Sequence, residues 1–312
     1  MQISDAPAPL GTPRRRESSS TLRAWAMAAR PHTLTIGVTP VLVGCALAFA
    51  DTGRIDVLLM LLSMLGALLL QAGTNLDNDV SDFERGTDRA GRLGLPRATA
   101  LGLLTPRQVR GASRACFALA TAIGLVLSWR GGWPIFFAGL ASAAAALAYS
   151  GGPRPISYTP FGDFVVWLFF GLVAVTGTYY LQTLAVSTGV LVAATIVGLP
   201  AAAVLVVNNY RDLDPDRAVG KRTLAVCLGR AFSRGQYAIL LLAPFALLVP
   251  FGLATHLGPA LLIPLLALPM AIGLVRHFWR ETPGPAFNSV LARTARFQVL
   301  FSALLCIAIV LN

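Results

Sequence analysis

Nine apolar runs divide this chain, and each approaches the roughly 20 residues that an α-helix needs to cross a bilayer. The runs are Thr33–Ala50, Val57–Gly73, Ala115–Trp129, Trp133–Tyr149, Phe161–Leu181, Gly189–Val207, Tyr237–Ala254, Pro259–Val275 and Phe297–Leu311. Asp163 is the one charged residue inside them, and it lies near the end of its run. The sequence therefore predicts an all-α, polytopic membrane bundle of about nine transmembrane helices.

Composition and charge agree with a membrane protein. Of the 312 residues, 55% are hydrophobic and only 12% are charged, which is too little charge to cover soluble domains of this size. The net charge of +11 comes from basic residues placed between the apolar runs, so it reports membrane topology and argues against nucleic-acid binding. The four cysteines have no CxxC spacing, which argues against a zinc site or a disulfide framework.

The basic residues also predict an orientation. Twenty-three of the 25 Lys and Arg residues lie in the N-terminal segment and in alternate loops, whereas the intervening loops hold only Arg54 and Arg130. The positive-inside rule then places the N-terminus in the cytoplasm and the C-terminus outside. We expect residues 1–23 to be a flexible cytoplasmic tail. Residues 24–312 would form one transmembrane domain with two Asp-rich cytoplasmic loops, at about 74–114 and 208–235.

The carboxylates are concentrated in two short stretches. Residues 77–88 and 212–216 hold eight of the 14 acidic residues, and each stretch follows an even-numbered run, so both face the predicted cytoplasmic side. If the second helix continues to residue 82, one of its faces carries Gln71, Asn75, Asn78, Asp79 and Asp82. Pro215 disfavours helix at Asp214, so a continuous helical face from Asp212 to Asp216 cannot be assumed.

Two groups of hard oxygen ligands without nearby His or Cys suit Mg²⁺, which binds few carboxylates together with waters and phosphate oxygens. The predicted metal ligands are Asn75, Asn78, Asp79, Asp82, Asp212 and Asp216. Positive side chains for a phosphate group are available at Arg85, Arg89, Arg92, Arg97, Lys221 and Arg222. Next to apolar helices, these groups suit an isoprenoid diphosphate as the substrate. Metal ions favour ionisation of the bond between its isoprenoid chain and its diphosphate group. Tyr149 and Tyr210 are candidate aromatic faces for the resulting allylic cation.

These motifs resemble those of the UbiA superfamily of membrane-bound aromatic prenyltransferases. The resemblance rests on Asn78-Asp79-x-x-Asp82 and Asp212-x-x-x-Asp216, and it extends over nearly the whole chain from about Ala24. The longer motifs resemble the branch that acts on 1,4-dihydroxy-2-naphthoate in menaquinone synthesis. They are Arg30-Pro31-x-Thr33-Leu34, Gln71-x-x-x-Asn75-x-x-Asn78, Gly86-x-Asp88, Tyr149-Ser-Gly-Gly-Pro153-Arg154, Asn208-Asn209-x-Arg211-Asp212 and Gly220-Lys221-x-Thr223.

The resemblance implies an Mg²⁺-dependent enzyme in the cytoplasmic membrane of a prokaryote, with its active site on the cytoplasmic side. Its partners would be a polyprenyl diphosphate, an aromatic acid acceptor and membrane lipid. The expected catalytic residues are Asp79, Asp82, Asp212, Asp216 and Tyr149. The expected substrate-binding residues are Arg30, Arg85, Arg89, Arg154, Asn208, Lys221 and Arg222.

Three residues depart from the expected motifs. Gly86 stands where the superfamily pattern has a third acidic residue, and Asp88 is displaced by two positions, which puts a direct metal contact by Asp88 in doubt. His32 stands where the naphthoate branch often has Lys or Arg, so a substrate-carboxylate contact there would depend on pH. Two alternatives remain open: a UbiA-type enzyme for another acceptor, such as 4-hydroxybenzoate, and a membrane transporter whose acidic loops only bind cations.

Overall fold

The computed structural model describes residues 18–86 and 93–312, and both ranges are helical with no β-strand. The elements are α1 (Ser18–Ala29), α2 (Pro31–Thr52), α3 (Val57–Glu84), α4 (Pro106–Ser150), a 3₁₀ turn (Ile156–Tyr158), α5 (Gly162–Trp167), a π-helical segment (Leu168–Val173), α6 (Ala174–Thr183), α7 (Thr188–Arg211), α8 (Leu213–Ala218), α9 (Leu224–Thr255), a 3₁₀ segment (Pro259–Ala267), α10 (Leu268–Arg280) and α11 (Phe287–Val310). Residues 18–23 of the predicted tail are thus helical. Residues 1–17 lie outside the described ranges.

Eight of the described helical stretches are long and apolar enough to cross a membrane. The prediction had nine because α4 contains two of the predicted runs, Ala115–Trp129 and Trp133–Tyr149. A straight helix of 45 residues would be roughly 68 Å long, more than twice the bilayer core of about 30 Å. α4 is not straight, because Gly132 has a left-handed φ of 65° that interrupts the helical geometry.

The two arms of α4 meet the same end of α3, so α4 folds back on itself at Gly132. Near the start of α4, the Ser113 hydroxyl donates to the Gly73 carbonyl at 3.0 Å. At the other end of α4, the Asn78 amide donates to the Ser150 hydroxyl at 2.9 Å. Gly73 and Asn78 both belong to the C-terminal part of α3. The N-terminus of α4 is fixed by a capping box between Thr105 and Gln108.

α7 lies at the centre of the largest core cluster, with buried residues on all its faces. Gly198 of α7 packs against Gly171 of the π-helical segment, and a Cβ added at Gly198 would lie 2.8 Å from the Trp167 carbonyl oxygen. This close approach positions the π-helical segment, whose Phe169 and Phe170 line the main cavity. Segments of π-helix are frequent at functional sites.

Candidate active site at one end of the helix bundle

A cavity of about 740 Å³ runs between α2, α3, α4, α7 and the α5–α6 segment, and we call it the chamber. Most of its wall is apolar, with Ile36, Leu70, Ile135, Phe136 and Phe170 among the lining side chains. Its polar end, which we call the polar rim, is formed by Arg30, Asn78, Asp82, Arg97, Asp212, Asp216 and Lys221. The structure thus brings both predicted acidic clusters to one end of one cavity.

The first cluster lies on α3, which continues to Glu84 as the predicted shared face requires. Gln71, Asn75, Asn78 and Asp82 line the chamber, and their spacing of four, three and four residues is that of one helical stripe. Asp79 follows Asn78 directly and therefore lies about 100° further around the helix, outside this stripe. It does not line the chamber.

Asp79 contacts a loop instead of the chamber. Its side chain is buried, and its two carboxylate oxygens accept hydrogen bonds from the backbone amides of Ala98, at 3.2 Å, and Thr99, at 3.1 Å. The same loop supplies Arg97 and Leu95 to the chamber. Asp79 therefore fixes the loop that closes one side of the polar rim.

We expect Asp79→Ala to lower the free energy of unfolding by about 2 kcal/mol or more, because two hydrogen bonds to a buried charged acceptor are lost and two buried amides stay unpaired. Thermal unfolding of the purified protein in detergent measures the change. Asp79→Asn keeps one acceptor oxygen and should lie between the wild type and Asp79→Ala. Equal unfolding temperatures for all three proteins would contradict this structural role.

The second cluster spans a bend between α7 and α8. Asp212 has φ −93° and ψ 10°, outside regular helix. Backbone hydrogen bonds nevertheless continue through it, from the Asp212 amide to Asn208 and from the Asp216 amide to Asp212. Asp214 is helical, contrary to the expectation from Pro215, because Pro215 lies in the first turn of α8, where its missing N–H costs no helical hydrogen bond. Asp212 and Asp216 line the chamber. Asp214 is exposed and pairs with Arg230 at 2.7 Å, away from the chamber.

Each carboxylate of the polar rim has a cationic partner. Asp82 pairs with Arg97, and both side chains are buried. Asp212 accepts two hydrogen bonds from the Arg211 guanidinium, at 2.8 and 2.6 Å.

Asp216 pairs with the Lys221 ammonium at 3.2 Å. Burial raises the pKa of the Asp216 carboxyl above its usual value, and the Lys221 charge opposes that rise. Together with Arg30, the cationic partners at this end of the chamber outnumber its three carboxylates.

Arg30 reaches the polar rim from the junction of α1 and α2. Its φ of 53° is left-handed, and the break directs the chain from α1 into α2 before Pro31. The Arg30 guanidinium donates to the Asn78 amide oxygen at 3.3 Å. The Asn75 amide holds this junction by donating to the Ala29 carbonyl, at 2.7 Å, and to the Thr33 hydroxyl, at 2.9 Å.

Arg85 lies outside the chamber and fastens the loop after α4. Its guanidinium donates to the carbonyls of Ser150, at 2.7 Å, and Gly152, at 2.8 Å, and it lies over the Tyr158 ring. The Lys221 ammonium also lies over the Tyr158 ring, 4.8 Å from the ring centroid. Tyr158 thus joins the loop after α4 to the polar rim by cation–π contacts.

The other predicted residues are divided among several places. Asn208 and Tyr149 line the chamber, and the Asn208 amide oxygen accepts a hydrogen bond from Arg211. Arg154 and Arg222 are exposed and do not line the chamber. Positions outside the described ranges, or with side chains that are not described, are His32, Asp88, Arg89 and Arg92.

Tyr210 is fully buried between Phe278 and Phe287, and its hydroxyl accepts a hydrogen bond from Arg234. It does not line the chamber. The Tyr210 side chain therefore packs in the core, and it does not shield the allylic cation of a substrate as the sequence suggested.

Sequence reasoning did not assign Arg211, Tyr158 or Asn288 to the site. The Asn288 amide oxygen accepts from Arg211 at 2.6 Å, and its amide nitrogen donates to the Leu93 carbonyl at 3.0 Å. Arg211 lies inside the sequence motif around Asp212, so this motif could have indicated that Arg211 belongs to the site. Asn288 follows no comparable motif, because its role depends on a contact between residues far apart in the chain.

The apolar chamber lies among helices long enough to span a membrane, and carboxylates and cations close one end of it. Its family identifies the chain as a membrane-bound prenyltransferase. The UbiA prenyltransferase family matches residues 37–308, and the chain belongs to this family.

Curated relatives and solved structures agree with this assignment. The 1,4-dihydroxy-2-naphthoate octaprenyltransferase of Escherichia coli (strain K12) is 33% identical, over 94% of this chain and 97% of the relative. The enzyme of the same name from Mycobacterium tuberculosis (strain ATCC 25618 / H37Rv) is 38% identical, over 80% of this chain and 83% of the relative. A UbiA homolog from Archaeoglobus fulgidus, solved with DMAPP and Mg²⁺, shares the fold with a TM-score of 0.64 and 18% identity, covering 92% of this chain and 99% of that protein.

Proposed function

We propose that this prenyltransferase transfers a polyprenyl group from its diphosphate to 1,4-dihydroxy-2-naphthoate. The observation that carries the proposal is the continuity of the chamber, which joins a long apolar wall to the polar rim. A diphosphate at the polar rim would place its isoprenoid chain along the apolar wall. The names of the Escherichia coli and Mycobacterium tuberculosis relatives support the naphthoate acceptor.

The donor atoms of the polar rim fit Mg²⁺. The described residues contain no group of three or more His, Cys, Asp or Glu side chains close enough to enclose a metal ion. An open set of oxygen donors suits Mg²⁺, which keeps several waters and completes its coordination with substrate phosphates. Asn78, Asp82, Asp212 and Asp216 would hold the ion. When bound, Mg²⁺ would neutralise charge on the diphosphate leaving group.

The chain's own residues would bind the substrate and exclude water. Lys221 and Arg30 can donate to phosphate oxygens at the polar rim. The apolar wall would bury the prenyl chain, and Tyr149 and Phe136 offer aromatic faces to an allylic cation. In the reaction, the C–O bond to the diphosphate breaks and a ring carbon of the acceptor forms the new C–C bond. Loss of the ring carboxylate as carbon dioxide from that carbon restores aromaticity and balances the charge.

Purified protein tests this function when it is supplied with a polyprenyl diphosphate and, separately, with 1,4-dihydroxy-2-naphthoate or 4-hydroxybenzoate. We expect mass spectrometry to detect a prenylated, decarboxylated naphthoquinol with the first acceptor, and chelation of Mg²⁺ to stop its formation. Preferential prenylation of 4-hydroxybenzoate would assign the other acceptor. Movement of intact diphosphate across the membrane without product would favour the transporter.

We expect Lys221→Gln to reduce kcat/KM for the prenyl diphosphate by about tenfold or more, because a charge-assisted contact of roughly 1.5 to 3 kcal/mol is lost. Steady-state kinetics with varied prenyl diphosphate measures the effect. Arg280→Gln is the control, because Arg280 is exposed at the end of α10 and outside the chamber. Equal losses in the two variants would indicate a general electrostatic field instead of a specific contact.

The proposed orientation places the polar rim in the cytoplasm, in agreement with the positive-inside rule. In a protein without its four native cysteines, we expect Arg217→Cys to react with a membrane-impermeant thiol reagent only from the cytoplasmic side. Arg130→Cys should react only from the outside. Both positions are exposed. Labelling with the opposite pattern would invert the topology.

A further inference from the structure

A second cavity, of about 360 Å³, lies on the other side of the α3 end from the chamber, and none of its lining residues lines the chamber. It is formed where α3 ends between the two arms of α4. Its lining residues are Asp77, Ser81, Glu84, Arg85, Arg110, Ser113, Arg114, Phe117, Leu147, Gly151 and Gly152. The cavity therefore has its own set of charged groups.

Most charges in this second cavity are already paired. Glu84 forms an ion pair with Arg110, and Arg85 donates to two backbone carbonyls. Two groups remain. Oδ2 of Asp77 is buried and accepts no hydrogen bond within the part of the chain that the structure describes. Arg114 is exposed and makes no hydrogen bond or ion pair with the described residues.

One carboxylate oxygen without a hydrogen bond and one guanidinium without a partner among the described residues favour a ligand that carries both signs of charge. A simple anion would meet the Asp77 and Glu84 carboxylates, and a simple cation would meet three arginines. A ligand carrying a phosphate and a primary ammonium satisfies both: the phosphate can accept from Arg114 and the ammonium can donate to Asp77. A trimethylated ammonium has no N–H to donate to the buried oxygen.

The apolar side of the cavity points to a lipid. Phe117 and Leu147 line it, and Leu147 and the nearby Leu119 are about half exposed on the outer surface of the bundle. Basic pockets between transmembrane helices near the membrane surface bind lipid headgroups. We propose that the second cavity binds a phospholipid with a phosphoethanolamine headgroup, whose acyl chains lie along the arms of α4.

Native mass spectrometry of the full-length protein in detergent tests this site. The probes are three phospholipids with identical acyl chains and ethanolamine, choline or glycerol headgroups. We expect the ethanolamine lipid to bind about tenfold more tightly than the other two, because only its headgroup carries both a phosphate for Arg114 and an ammonium that can donate a hydrogen bond to Asp77. Asp77→Asn should remove the preference over the glycerol lipid, and Arg114→Gln should weaken binding of all three lipids.

Arg107→Gln is the matched control, because Arg107 is exposed about two turns before Arg114 on α4 and lines neither cavity. It should leave binding unchanged. Equal binding of the three lipids to the wild-type protein, or an ethanolamine preference that survives in Asp77→Asn, would overturn the proposal. Displacement of the lipid by soluble phosphoethanolamine at equal concentration would also overturn it, since the site would then take a small soluble ligand.

Discussion

Asp82→Asn and Asp212→Asn are each expected to reduce prenyl transfer by more than about a hundredfold. Each substitution keeps the size of the side chain and removes the charge that would hold Mg²⁺ at the polar rim. Loss of residues that merely support a metal ligand costs roughly 10- to 100-fold in metal affinity or activity, so loss of a direct ligand should exceed that range. The rate of product formation at saturating prenyl diphosphate, measured over a range of Mg²⁺ concentrations, gives the result.

Asp214→Asn provides the matched control for this experiment. Asp214 lies two residues from Asp212, in the same acidic cluster, but its side chain is exposed and pairs with Arg230 outside the chamber. We expect near-normal turnover. If Asp214→Asn were as inactive as Asp212→Asn, the negative charge of the whole loop would matter and the assignment of individual ligands would be wrong.

Gly139→Phe is expected to change which prenyl donors the enzyme accepts. Gly139 lines the chamber, and a Cβ built there meets no atom within 4 Å, so a side chain can project into the chamber without displacing the helices. The position is ten residues before Tyr149 on α4, or roughly 15 Å along the helix. A short prenyl chain bound at the polar rim should end before reaching it.

We therefore expect Gly139→Phe to lower kcat/KM for a long polyprenyl diphosphate by at least about a hundredfold relative to dimethylallyl diphosphate. Displacing one five-carbon unit from the wall forfeits roughly 0.8 kcal/mol for each CH₂ group. Gly111→Phe is the control, since Gly111 also has open space around it but lies on α4 outside both cavities. Equal losses for long and short donors would show that Gly139 does not lie beside the prenyl chain.

The fold was predictable because hydrophobic runs of bilayer length and a helical spacing of polar residues are local features of the sequence. The stripe from Gln71 to Asp82 is an example, since it depended only on α3 continuing past Asn78. The two predicted runs Ala115–Trp129 and Trp133–Tyr149 are the two arms of α4, which lie on either side of the non-helical Gly132. A glycine alone does not indicate whether a helix stops or bends.

The parts of the site that were not predictable depend on contacts between distant segments. Asp79 and Asp82 are equally acidic and neighbours in one motif, yet Asp79 contacts the amides of Ala98 and Thr99 whereas Asp82 faces the chamber. The path of the 93–104 loop decides between these environments, and no local pattern specifies that path. Tyr210 is a second example, because only the packing of α10 and α11 around its side chain reveals that it belongs to the core.

Because of Asn288, the hydrogen bonding of the site depends on the order in which the chain is synthesised. Asn288 lies in the first turn of α11, the last described helix, and it links the Leu93 carbonyl to Arg211. During translation, the two acidic clusters emerge long before this residue. The Arg211 side chain that holds Asp212 gains this partner only after translation has passed residue 288, so the hydrogen bonding around Asp212 is completed well after both acidic clusters have been made.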